Sequence, residues 1–168
     1  MSKDVNRAHE EMLKDSLRVD IFGIRAGVDI DAPIVAPIRP EVPSLEPGKV
    51  YLLDIVIRSL TVGHLFTEGT ADSNQVWLEV IATQDGEIIG NSGLIDLREG
   101  RLDPLSHFVN AYVLDREGNR IDRRNAEDIF TKLYDHQIPP GSSDTIHYRL
   151  EIPETLKGAI SVLSLIHI

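Results

Sequence analysis

Between Ala26 and Gly48 stand Pro33, Pro37, Pro40, Pro43 and Pro47, five of the nine prolines in the 168-residue chain. Proline gives no amide proton to a ladder and restricts the residue before it, so this stretch can be neither a helix interior nor a central strand. Ile34, Val35, Ile38 and Val42 recur through it. The expectation is an extended connector packed across a fold. On its amino side, LRVDIFGI alternates Leu17, Val19 and Ile21 with other residues. After Pro47-Gly48, VYLLDIVIRS sets Tyr51, Leu53, Ile55 and Ile57 on one face and Leu52, Asp54, Val56 and Arg58 on the other. Period-two patterning with β-branched residues is strand chemistry, and a partly apolar second face predicts a central place for Val50 to Ser59.

The same alternation returns down the chain. Val76 to Ile81, which carries Trp77, reads as a strand with both faces largely buried. Asp85-Gly86 signals a hairpin returning through Glu87 to Asn91, His107 to Asp115 is a further strand, Arg116 to Asn119 turns into Arg120-Ile121, and Thr145 to Ile152 and Ala159 to Ile168 close the series. Leu94 to Leu105 reads as a polar loop. Helical spacing occurs twice. Asp4 to Asp15 carries Val5, Ala8, Met12 and Leu13, and Asn125 to Tyr134 carries Ile129, Phe130 and Leu133 behind an Asn125 cap and ahead of Ile138-Pro139-Pro140-Gly141. The expected class is all-β: an antiparallel β-sandwich with a short N-terminal helix, a proline-rich connector and one short helix near 125–134.

Composition narrows the chemistry. The chain has no cysteine, which excludes disulfides, thiolate metal sites and covalent haem attachment within it. A formal net charge of -10 repels nucleic-acid backbones and anionic membranes, and the nearest basic cluster, Arg120, Arg123 and Arg124, is interleaved with Asp122, Glu127 and Asp128. No nucleic-acid partner is expected. There is no apolar run of about 18 residues to span a membrane, and MSKDVNRAHEEMLKDS has no apolar core like that of a secretory signal.

Familiar catalytic patterns are missing. No Asp-x-Asp-x-Asp-Gly run places calcium ligands from one loop, no HxH or HxxxH pair offers two imidazoles from one element, and no serine stands in a Gly-x-Ser-x-Gly elbow. Asp72, Asp96, Asp103, Asp122 and Asp128 read as solvated surface acids. His136 falls in the turn expected to end the second helix, as a cap on its carbonyls. His147 is placed on the strand face opposite Ile146 and Tyr148. No nucleophile, base and orienting partner can be named together, so the chain is read as non-enzymatic.

The stretch VGHLFTEGTADSNQVWLEV, Val62 to Val80, is the most site-like. A Gly-His pair leads through a turn shaped by Gly63 and Gly69 to the strand holding Trp77, which is expected to fill the sandwich core. His64 has two roles open to it: hydrogen bonding inside the corner, or presenting an imidazole to a metal centre outside the domain. Phe66, Asp72 and His107 are further loop candidates for ligand contact.

Several stretches together resemble one family: VDIFGI at Val19 to Ile24, the Pro47-Gly48 entry into an apolar strand, the His64 and Trp77 stretch, DPLSH at Asp103 to His107, LDREGNRIDRRN at Leu114 to Asn125 and IPPGSSDTIHYRLEIP at Ile138 to Pro153. In order and spacing they look like the β-sandwich, Ig-like domain that follows the haem-binding region of bacterial multihaem c-type cytochromes, where a Gly-His-x-Phe-Pro-x-Gly motif, a Trp-bearing strand and an Ile-Pro-Pro-Gly turn recur. The match covers roughly Leu17 to Val162, with Thr67 where that family has proline and no Cys-x-x-Cys-His motif.

The resemblance implies residues 1–16 as the end of an upstream haem-binding region, Met1 as an internal position and 17–168 as the sandwich domain. It also implies a non-catalytic role in electron transfer, packing on or organising the haem domain. Haem c then belongs to the full-length protein, the partner is that upstream region or another redox protein, the location is periplasmic or cell-surface, and His64 is an axial ligand to iron. Leu163 to Ile168, LSLIHI, lacks the closing pattern the resemblance leads one to expect and looks like a translated sequencing-adapter tail, so no function is given to His167. The alternative, from the residues alone, is a stand-alone carbohydrate- or peptide-binding sandwich using loops Thr67 to Asn74 and Leu94 to His107. With four Phe, four Tyr and one Trp, it has few aromatics to spare for such a surface.

Overall fold

A computed structural model describes residues 3–67, 73–155 and 158–168. It is an all-β, sandwich-like protein with one helix, Lys3–Leu13, among the described residues. That helix is too short and too polar to cross a membrane. The chain divides into two compact units, Met1–Arg18 with Ile57–Gln75 and Val109–Asp144, and Val19–Val56 with Val76–Phe108 and Thr145–Ile168.

The second unit carries the sandwich. One sheet runs in the order Ser143–Glu151, Val50–Ser59, Leu17–Ala26, Ile34–Val35; the other runs Ile160–His167, Trp77–Gln84, Glu87–Ser92, with His107–Phe108 paired to Trp77–Gln84. The first two residues of Ser143–Glu151, the last three of Val50–Ser59 and the first two of Leu17–Ala26 count with the first unit. Val50–Ser59 has the central place its two apolar faces predict, with Leu52, Leu53, Ile55 and Val56 buried. Leu53 and Leu150 from one sheet and Val80, Ala82 and Val162 from the other line one small cavity of about 50 Å³, which marks the interior between the sheets. Of these, Leu53, Val80 and Leu150 are buried, and a fully buried Leu or Val side chain contributes roughly 1.5–3 kcal/mol.

Along Trp77–Gln84, Leu78, Val80 and Ala82 are buried while Trp77 is only half-buried. Trp77 therefore does not fill the core as expected. Its indole Nε1 donates to the Gly93 carbonyl at 3.0 Å and its ring stacks on His167 at 4.5 Å. Ile160–His167 pairs with Trp77–Gln84 residue for residue, from Ile160 opposite Gln84 to His167 opposite Trp77. The hairpin at Asp85-Gly86 forms as expected, both residues at positive φ (50° and 83°), the geometry of a two-residue turn that matches strand twist.

The proline-rich run is an extended connector save for the two-residue edge strand Ile34–Val35, which pairs Ile24 with Val35 and Arg25 with Ile34. Ile38 N donates to Phe22 O at 3.0 Å, and Glu46 N donates to the Tyr51 hydroxyl at 2.9 Å. The Ala36–Pro37 and Arg39–Pro40 peptides are cis.

In the first unit, Arg120–Ile121, Ala111–Leu114 and Thr131–Asp135 form a three-stranded sheet over a small core of Ala111, Val113 and Ile121. The helix expected near 125–134 is not there. Only Ala126–Asp128 makes a 3₁₀ turn, and Thr131–Asp135 is a strand paired with Ala111–Leu114. The physical reason is visible in the supposed helical stripe: Ile129, Phe130 and Leu133 are all exposed, so no apolar surface was waiting for it. Phe130 instead gives its amide to the Leu114 carbonyl at 2.8 Å and its ring to Arg116. The strand expected over His107 to Asp115 is interrupted at Val109 and Asn110, leaving His107–Phe108 and Ala111–Leu114.

Candidate functional site

The corner around His64 lies in the first unit. Phe66 and Ile138 exchange backbone hydrogen bonds, Phe66 N to Ile138 O at 2.9 Å and Ile138 N to Phe66 O at 2.7 Å. Just beyond, Ser142 N donates to Pro139 O at 3.0 Å and Gly141 takes φ 67°, so Pro139-Pro140-Gly141-Ser142 makes the turn that proline at its start and glycine at its third position favour. The buried Thr67 hydroxyl donates to the Val109 carbonyl at 3.3 Å, and Asn110 Nδ2 donates to the Asn74 carbonyl at 3.0 Å. The corner is pinned from both sides. The Phe66–Thr67 peptide is cis.

On this scaffold His64 is exposed, with Nδ1 2.9 Å from the Leu65 carbonyl oxygen. A carbonyl can only accept, so Nδ1 donates to it, and in the neutral ring Nε2 is then the imine nitrogen. That is the tautomer of an imidazole that coordinates a metal through Nε2 while its other nitrogen is oriented by a backbone carbonyl. No neighbouring atom lies within 4 Å of where a Cβ on Gly63 would stand, and its φ is not positive. Gly63 is therefore not required by the turn, as the sequence suggested.

The other candidates fall elsewhere. Phe66 is buried at 8 % exposure and serves the core rather than standing out from a loop. Asp72, like Gly69, lies outside the described residues. His107 is half-buried in the second unit, on a strand opposite Leu78. His136 does not end a helix but follows a strand, with its ring 4.2 Å from that of Tyr134 and its amide given to the Asn110 carbonyl at 3.0 Å. Asp96 and Asp103 are turn builders as well as surface acids: Asp96 Oδ1 accepts from Arg98 N at 2.8 Å, and Asp103 accepts from Gly93 N at 3.1 Å and Leu105 N at 2.9 Å. Asp115 does the same for Glu117 and Asn119, and the Asn119 side chain and amide hold its carboxyl below the usual range.

Sequence reasoning missed a buried ionic row in the second unit. Asp54, 3 % exposed, accepts from Arg25 Nη1 on one oxygen and sits 2.9 Å from His147 Nδ1 on the other, while Arg25 Nε donates to the Ala32 carbonyl at 3.1 Å. The signal was an acid in the middle of VYLLDIVIRS: a carboxylate in a strand apolar on both faces has to be paired. Glu79 and His167 make a second pair at 2.9 Å, beside Trp77.

No protein-family model and no curated protein sequence matches the chain. Among solved structures, a penta-heme cytochrome c552 from Thermochromatium tepidum matches 95% of the chain with a TM-score of 0.56 at 16% sequence identity. The chain spans 34% of that cytochrome's length. At that identity the similarity is one of fold: the all-β, sandwich-like architecture built here is one found in a multihaem cytochrome.

Proposed function

We propose that this chain is a non-catalytic β-sandwich module of a multihaem c-type cytochrome, acting in electron transfer by packing on or organising a haem-bearing region in the periplasm or at the cell surface. Without cysteine it attaches no haem itself. Its own contribution is His64, supplied as an axial ligand to a haem held by the upstream region or another redox protein. The observation that carries this reading is the Nδ1 contact to the Leu65 carbonyl, which in the neutral ring leaves Nε2 as the coordinating atom of an exposed imidazole. The likeness to a penta-heme cytochrome over 95% of the chain supports the setting. Haem, when bound there, would supply the redox centre; His64 would fill an axial position through a neutral imidazole, and the identity of that ligand is one determinant of the potential.

A c-type haem peptide with one open axial position tests the ligand role. Added to the chain, it should convert to the low-spin spectrum of a two-imidazole iron, and His64→Ala should abolish the conversion. An equal response from His64→Ala would end the assignment. In the full-length haem protein, the same substitution should change the spectrum and potential of one haem.

A further inference from the structure

The sandwich of the second unit holds an apolar cavity of about 190 Å³ beneath the proline-rich connector. Its floor is Ile24, Leu53, Leu150 and Val162, and its cover is Ile38 and Val42. A second compartment of about 210 Å³ shares Ile21, Arg39 and Val162 with it and adds Asp20 and Ser164. The two adjoin: the first is lined mainly by aliphatic side chains, the second adds polar ones, and Arg39 lines both.

Arg39 is exposed and, among the described residues, makes no ion pair or side-chain hydrogen bond, in a chain of net charge -10. Asp20 is engaged in an interaction of its own. The Ser164 hydroxyl is buried with no hydrogen-bond partner among the described residues. Arg39 is thus a cation at the edge of the space with no anion beside it to pair with among the described residues. A carboxylate meets that need, because a guanidinium binds it as a fork.

The cover is loosely held. Between its anchors at Ile38 N and Glu46 N, residues 39–45 make no backbone hydrogen bond among the described residues, and Val42 is 75% exposed.

We propose that this space is a binding site for a short-chain aliphatic monocarboxylate, its hydrocarbon tail between the sheets under Val42 and its carboxylate on Arg39. An apolar cavity of about 150 Å³ holds a six-carbon ring, so this one takes a tail of roughly six to eight carbons. The two long chains of a membrane phospholipid do not fit, which makes the ligand a free acid.

Octanoate is the probe and octanol its neutral match, titrated into the full chain and followed by the methyl resonances of Ile38, Val42, Leu53 and Val162. Octanoate should shift these signals and raise Tm, and octanol should bind more weakly. Arg39→Gln should weaken octanoate on the order of tenfold and leave octanol unchanged. Val42→Trp, a substitution at an exposed position, should shut out both ligands while the melting curve stays cooperative. The proposal is overturned if octanoate leaves the methyl signals of the folded chain unmoved at its solubility limit. It is overturned equally if Arg39→Gln binds octanoate as the parent does, if octanol matches octanoate, or if folded Val42→Trp still binds.

Discussion

Asp54 is the residue on which the second unit's sheet depends most for its electrostatics. Removing its carboxylate leaves Arg25, 14% exposed, without a counter-ion and His147 without an acceptor. Breaking a buried pair from one side costs about 3–5 kcal/mol, so Asp54→Ala should lower unfolding free energy by that amount in urea titrations, and His147→Ala, at the partly exposed end, by no more than about 1 kcal/mol. Equal losses for the two would show that the row is not organised around Asp54. Gly93 is a steric counterpart. It holds φ 79°, and a Cβ there would run into the Leu78 carbonyl oxygen and stand 2.9 Å from the Glu79 Cα. Gly93→Ala should cost about 2–4 kcal/mol, while Gly118→Ala, at φ 84° with nothing near its Cβ, should cost only about 1–2. At this scale the sequence was partly legible. Asp54's need for a partner is written in its strand, but which partners it finds depends on the neighbouring strands' register, which no local pattern encodes. Gly93 could be read as a turn, and its close approach to Leu78 could not.

Strands were read best where both period and punctuation were strong. Val50–Ser59 appears with the expected bounds, and Asp85-Gly86 closes the expected hairpin, because alternation and a positive-φ turn are local properties. Asn125 to Tyr134 failed for the complementary reason: three apolar residues at helical spacing do not make a helix unless something buries them, and Thr131–Asp135 found ladder partners in Ala111–Leu114 instead. Leu133, 69% exposed on that edge strand, should therefore accept Leu133→Thr within about 0.5 kcal/mol by chemical denaturation, since a β-branched residue suits an exposed strand site. A helix there would lose stability to the same change. Lys132 and Asp135 hold the strand's end: burial raises the Asp135 carboxyl, but the Lys132 ammonium, the Gln137 amide and His136 together outweigh it and keep that carboxyl below its usual value. Trp77 shows the limit of reading an element from its most conspicuous residue, for the buried face of its strand is Leu78, Val80 and Ala82. The indole finds a carbonyl at the margin of the core, where a large amphipathic ring is best placed.

For the molecule as a whole, the all-β class was legible in turn spacing and in the scarcity of helical periods, whereas the interleaving of three chain segments in each compact unit was not, because it arises from non-local pairing. One consequence of burial reaches the stability of the entire fold. Tyr148 stands on the inner side of its strand, and burial pushes its phenol from 10.0 up to about 12, with the Ser92 side chain opposing. The folded pKa lies above the unfolded one, so between them the folded state holds a proton that the unfolded state has released. The corresponding stability is fully present below pH 10, falls as pH rises through the interval, and is gone once the folded state also ionises near 12. Two pKa units correspond to at most about 2.7 kcal/mol, and solvent reaching the partly exposed ring reduces this to roughly half. Tyr148→Phe removes the titrating group and keeps the ring. Its urea midpoint should therefore stay nearly flat from pH 9.5 to 12 wherever the parent's falls because of Tyr148, with the two proteins diverging only above about pH 10. Parallel curves for parent and variant over that range would place the alkaline loss in other groups, such as the lysines, and leave Tyr148 no part in it.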